Sequence, residues 1–165
     1  MTEVTLSMEA MQIIATAEDV ILKQARKQIL KEKEAGETPS ATGPLKINII
    51  DVVEEEDKLT FLVAKGQLGL ALGKSARNLQ ALKNTFGKEV KVLEFDDEVE
   101  RFVRNLFKPH TVESVKVEAQ EEGVYVRATL KPEDKGKAIG KAGRNINVAR
   151  QLARRHHNVV ELKVE

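Results

Sequence analysis

A chain of 165 residues with 41% hydrophobic content can build one domain or two small ones. It contains no Cys, which excludes disulfides, thiol catalysis and Cys-ligated zinc, and suits a reducing compartment. A net charge of +1 argues neither for nor against a polyanionic partner, and five Phe with Tyr125 leave little for a base-stacking platform. No apolar run approaches ~18 residues and the N-terminus lacks a basic-then-apolar signal, so no membrane contact and a cytoplasmic location are expected.

In chain order, Ser7 is placed to cap a helix from Met8 to Glu34, with Met11, Ile14, Ala17, Ile21, Ala25 and Ile29 near one stripe. Met8 and Met11 read as core. The Gly, Pro, Ser and Thr of Ala35 to Pro44 predict a loop. Leu45 to Val53 and Leu59 to Ala64 predict a hairpin across the acidic turn Glu54 to Lys58. Next come a short helix (Gln67 to Leu72), a turn, a helix from Ala76 to Phe86 stopped by Gly87, and a strand from Val90 to Phe95.

Asp96 to Glu100 opens another helix, with Asp97 and Glu100 at capping-box spacing and Val99, Phe102, Val103 and Leu106 on its apolar stripe. Pro109 ends it. Val112 to Ala119 and Val124 to Leu130 predict a second hairpin. Pro132 then fits the first turn of a short helix to Ile139, followed by a helix from Gly143 to Arg155 and a strand from Val159 to Val164. His110, His156 and His157 read as surface residues after helix ends, the last two able to add charge below about pH 6.5.

One stretch occurs twice. Gly69-Leu70-Ala71-Leu72-Gly73-Lys74-Ser75-Ala76-Arg77-Asn78-Leu79 matches Gly136 to Ile146 at a constant offset (140 − 73 = 67), with Gly, Ala, Gly, Lys, Arg and Asn identical. Each copy has a short helix, a loop opening on Gly, and a longer helix whose first N–H groups lack intrahelical partners. Those donors and the helix dipole favour an anion, and Lys141 and Arg144 add whole charges there. Lys131, Lys135, Lys137, Lys141, Arg144, Arg150, Arg154 and Arg155 concentrate positive charge around the second copy, while acids collect at Glu54 to Asp57, Asp96 to Glu100 and Glu118 to Glu122. A solvated charge-rich surface would give the same composition. Both halves read helix–strand–strand–helix–helix–strand, an α+β arrangement of two small three-stranded sheets with helices on one face.

A Gly-x-x-Gly loop between two helices after a hairpin is where a KH domain clamps nucleic-acid backbone. In this repeated order the chain resembles tandem type II KH domains. Gly69 to Leu79 with Gly87-Lys88-Glu89-Val90-Lys91-Val92-Leu93-Glu94-Phe95, and Pro132 to Ile146 with Ala149 to His156, look like the two KH units of archaeal NusA-like transcription elongation and termination factors. The resemblance covers about Lys46 to Val164. It implies residues 1–44 as a helix and loop of the first KH domain, 45–95 as its core, and 96–165 as the second KH domain with its linking helix. It also implies single-stranded RNA as ligand, held by Lys137, Ile139, Gly140, Lys141, Ala142, Gly143, Arg144 and Asn145 of the second unit. Their counterparts are Leu72, Gly73, Lys74, Ser75, Ala76, Arg77 and Asn78, with Leu72 and Ile139 as groove floor. Ala76 stands where the second copy has Gly143; because Ala resists positive φ, weaker contact is expected there. RNA polymerase is a candidate partner, although bacterial NusA contacts do not carry over, because no room is left for that protein's oligonucleotide-binding barrel or polymerase-binding domain.

Rival readings have less support. Gly73-Lys74-Ser75 ends like a P-loop, but the first Gly would have to stand at Leu68, and the second copy offers Ala142 where a Mg²⁺-binding hydroxyl belongs. Neither an enzymatic constellation nor a cofactor or metal site is expected. A protein-binding adaptor, docking polymerase or ribosome with RNA contact secondary, is the alternative that the long first helix and the acidic patches suit. Oligomeric state is left open.

Overall fold

The computed structural model describes residues 4–39 and 45–165. The chain packs as two units, Leu6–Glu94 and Phe95–Glu165, with residues 4–5 grouped with the latter. In the first, α1 (Met8–Glu34) precedes β1 (Ile49–Glu54), β2 (Lys58–Val63), α2 (Leu68–Leu72), α3 (Arg77–Phe86) and β3 (Glu89–Glu94). The second repeats the order with α4 (Val99–Leu106), β4 (Val112–Gln120), β5 (Gly123–Leu130), α5 (Pro132–Ile139), α6 (Arg144–His157) and β6 (Val159–Val164). Each sheet has its hairpin strands antiparallel and its last strand parallel to the middle one, in the orders β1-β2-β3 and β4-β5-β6. Both sheets slip register at the start of the first strand, between Ile49 and Asp51 and between Val112 and Ser114. The fold is the expected pair of type II KH units, and the repeat extends to this irregularity.

Strand alternation sends Leu59, Phe61 and Val63 of β2 and Val90 of β3 to one face, where they pack with Ile14, Ala17 and Ile21 of α1 and Leu82 of α3. The helix starts as expected, Ser7 Oγ accepting from Ala10 N at 3.1 Å. Met8 and Met11 are not core: they are 69% and 46% exposed. The packed stripe is centred on Ala10, Ala17 and Ile21; at about 100° per residue Met11 falls to its flank and Met8, two residues before Ala10, to the opposite face. The first hairpin is shorter than expected, because Leu45 to Asn48 lie outside the strand; Asn48 N donates instead to Gln67 Oε1 at 2.6 Å. Of the predicted loop Ala35 to Pro44, residues 40–44 lie outside the described part.

In the second unit Phe102, Val103 and Leu106 of α4 are buried, as are Ile146, Ala149, Leu152 and Ala153 of α6. The capping box is not made. Glu98 is the N-cap without a side-chain bond, and Asp96 Oδ1 accepts from Glu98 N at 2.9 Å. His156 and His157 are also not surface residues beyond a helix end. Helix α6 runs through both, because Asn158 (φ 51°) provides the left-handed stop. His156 is 5% exposed, and His157 stacks on Phe95 with its Nε2 2.8 Å from the Asp96 carbonyl oxygen. Neither is placed to offer charge to a ligand at the loop that begins α6.

Candidate nucleic-acid interface

Each unit turns from a short helix into a long one through a loop whose backbone is the same in both copies. Gly73 (φ 73°, ψ 178°) and Gly140 (φ 79°, ψ 170°) end α2 and α5 in a region that L-residues essentially do not enter. Their N–H groups donate to Gly69 O and Gly136 O, both at 2.9 Å. A single turn follows, closed by Ala76 N on Gly73 O and Gly143 N on Gly140 O, both at 3.1 Å. Ser75 (φ 56°) matches Ala142 (φ 56°), and Ala76 (φ 54°) matches Gly143 (φ 74°).

Ala76 therefore does not change the loop's shape. It adopts the left-handed conformation that its Cβ disfavours (φ 54°), so the sequence-based premise that Ala would resist positive φ does not hold in this turn, which the Ala76 N–H closes on Gly73 O. That conformation costs an L-residue about 1–2 kcal/mol. Replacing Ala76 by Gly removes the cost but loosens the unfolded chain by about 0.4–1 kcal/mol. Ala76→Gly should raise stability by roughly 0.5–1 kcal/mol in urea unfolding, with the loop unchanged.

The two asparagines explain why the loops hold together. Asn78 Nδ2 donates to Leu70 O at 3.2 Å and Ala71 O at 3.1 Å, and Asn145 Nδ2 donates to Lys137 O at 2.9 Å. Each ties the start of the long helix to carbonyls at the end of the short one, which would otherwise lack partners. Asn78 is buried at 3% exposure, whereas Asn145 is exposed. Both are expected among the RNA-contacting residues; in the structure their Nδ2 groups bond these carbonyls.

What faces outward is cationic. Lys74, Ser75, Ala76 and Arg77 are exposed, as are Lys137, Lys141, Ala142 and Arg144, while Gly143 is half-buried. Arg77 Nη1 donates to Gln28 Oε1 of α1 at 3.3 Å. Gln28, distant in sequence, carried no signal that could have found it. Beside the loops, Ile139 is 36% exposed and Leu72 is half-buried, so each copy offers an apolar side chain next to its cations. Arg150, counted with the basic set, directs its Nε to Leu162 O at 3.1 Å.

The groups with displaced pKa values lie elsewhere. Burial, then the neighbouring Lys58, pulls Lys91 below the usual lysine range, on the sheet face opposite the helices. At the turn after β4 the Tyr125 hydroxyl donates to Glu122 Oε1 at 2.6 Å, which holds the phenol above and the carboxyl below their ordinary values. Among the described residues, no group of three or more His, Asp or Glu is placed to hold a metal ion, and no helix is long and apolar enough to cross a membrane.

Fold and loops together define a protein of two KH units, each with its Gly-opened turn exposed. The NusA-like second KH domain matches residues 99–164. Proteins named probable transcription termination protein NusA are 33% identical over 115 residues in Halobacterium salinarum, covering 70% of this chain and 82% of that one. In Methanococcus vannielii the identity is 31% over 117 residues, covering 71% and 68%. In Methanocaldococcus jannaschii it is 29% over 118 residues, covering 72% of this chain and 64% of the relative, so the match spans under two thirds of that protein. The crystal structure of APE1850 shares the fold, with a TM-score of 0.69 over 97% of this chain and 100% of that one at 24% identity. The chain belongs to the NusA-like family.

Proposed function

We propose that this protein binds single-stranded RNA through both loops and acts by that binding in transcription elongation or termination, in the cytoplasm. The observation that carries this reading is the pair of loops with one backbone conformation, each exposing Lys and Arg at the start of a helix of ten or more residues. Loop N–H groups and cations take the phosphates. Leu72 and Ile139 give bases an apolar floor, and with few aromatics in the chain, stacking adds little. Binding, not a reaction, is the activity. RNA polymerase is the candidate protein partner by family.

The test is the salt dependence of binding to an unstructured RNA oligonucleotide, followed by fluorescence anisotropy. Single-strand binding loses about 0.7 in log K per decade of salt for each phosphate neutralised. Lys74, Arg77, Lys141 and Arg144 acting together would give a slope of roughly −3. Absence of binding in dilute buffer, or a slope near zero, overturns the proposal and leaves the adaptor reading.

A further inference from the structure

The two sheets treat their outer strands differently. In the first unit β1 is six residues long, its Ile49 and Val52 are buried in the core with α1, and Glu18 Oε2 of that helix accepts from Ile49 N at 3.0 Å. That edge is short and covered, as sheet edges in soluble proteins usually are. In the second unit β4 is nine residues long, and α4, at eight residues, is far shorter than the 27-residue α1. Arg104 bonds the Val112 carbonyl at the start of β4, but beyond it Ser114, Lys116, Val117, Glu118, Ala119 and Gln120 are all exposed.

The exposed strand carries a pattern. Val115, Val117 and Ala119 pair with Ala128, Val126 and Val124 of β5, so they continue the sheet's apolar face out to its edge. Val117 is 45% exposed. Lys116 and Glu118 point to the opposite face, beside Arg127 and Tyr125. A lysine in an edge strand ordinarily repels a pairing strand. Here, an antiparallel copy centred on Val117 would set Lys116 of each chain against Glu118 of the other. Val117 would meet Val117, Val115 would meet Ala119, and Ser114 would meet Gln120. Opposite charges directly across a strand pair attract and like charges repel. Registers centred one residue either way would put Lys116 on Lys116 or Glu118 on Glu118. In the favoured register the one like-charge approach is Glu113 with Glu121, at the outer end beside the turn.

We propose that β4 is a self-association edge, through which two copies of this chain pair antiparallel about Val117 into a continuous six-stranded sheet. An edge of this length falls below the ~1,000 Å² of a strong interface, so the dimer is weak and concentration-dependent. Sedimentation velocity on the full chain, from micromolar to millimolar concentration, should show reversible dimerisation. Lys116→Glu alone and Glu118→Lys alone should each be monomeric over that range, with circular dichroism unchanged because both positions are exposed. Mixing those two variants should restore a dimer, since each chain then offers the charge that the other lacks, and the double exchange in one chain should also dimerise. A wild-type chain monomeric throughout overturns the proposal. So do single variants that dimerise like wild type, or a mixture that stays monomeric. RNA affinity of the single variants should be unchanged, because neither position lies in the loops, so this result stands or falls apart from the RNA-binding reading.

Discussion

Replacing Lys141 and Ala142 together by Asp is expected to abolish RNA binding while leaving the melting temperature within a degree or two of wild type. The change removes one positive charge and adds two negative ones on a turn where both positions are exposed. Phosphates drawn to the start of α6 would then meet like charges a few ångströms away. The fold should not notice, for a reason visible in the backbone. Ala142 sits at φ 56°, a conformation that Asp tolerates better than Ala does, so the second Asp adds no strain and relieves some. Gly140, Gly143 and the Asn145 bond to Lys137 O are untouched. Anisotropy titration and thermal unfolding of the same preparation check both halves of the expectation. Retained affinity would show that RNA, if bound, passes elsewhere.

The matching change at Lys74 and Ser75 should cost less affinity. Ser75 also lies at positive φ (56°), so its backbone accepts Asp equally well. What differs is the surroundings: Ala76 adds a methyl on the exposed side, and Arg77 is shared with Gln28. The second loop has a Gly at the first of these positions. Equal losses from the two pairs of changes would mean that backbone shape alone sets the contact.

The repeat made much of this legible. Two copies of one motif at fixed spacing gave the element order, the sheet count and the loops, because Gly at those positions meets a local backbone need that a short stretch expresses completely. Failures came where a long-range partner decides. The alternation of Leu45 to Asn48 suits a strand, yet Gln67 claims the Asn48 N–H. The capping box failed locally instead: Asp97 and Glu100 have its spacing, yet Asp96 Oδ1 takes the N–H of Glu98, two residues on. Met8 and Met11 match helical spacing, but which flank of a stripe meets the sheet depends on how α1 lies over it. His156 and His157 were misplaced for a different reason: the stop signal was the left-handed Asn158, which carries no strong local mark. The asparagines in the loops were legible as part of the repeat, but their bonds to carbonyls seven and eight residues back were not.

That internal bonding leads to the largest stability effect expected here, at Gly73. A Cβ at this position would stand 2.8 Å from Asn78 Nδ2 and 2.9 Å from its Cγ. Asn78 is buried and holds two carbonyls, so it cannot swing aside without leaving polar groups unpaired, at about 1–3 kcal/mol. The backbone region itself adds about 1–3 kcal/mol for any residue but Gly. Gly73→Ala should therefore cost about 3–5 kcal/mol, enough to unfold much of the first unit. Gly140→Ala meets the same clash, with Asn145 Cγ at 2.8 Å, but Asn145 is exposed and can turn to water, so about 2–3 kcal/mol is expected. Gly143→Ala is the control. Its Cβ would have only ordinary contacts, Ile146 Cγ2 at 3.7 Å and Asn147 Nδ2 at 3.8 Å, and the first copy carries Ala at the same place, so the cost is about 1–2 kcal/mol. Urea unfolding of the three variants should rank them Gly73, Gly140, Gly143. If Gly73→Ala proved no worse than Gly143→Ala, the asparagine would not be the part that locks the loop, and the shared conformation would have to come from the helices alone.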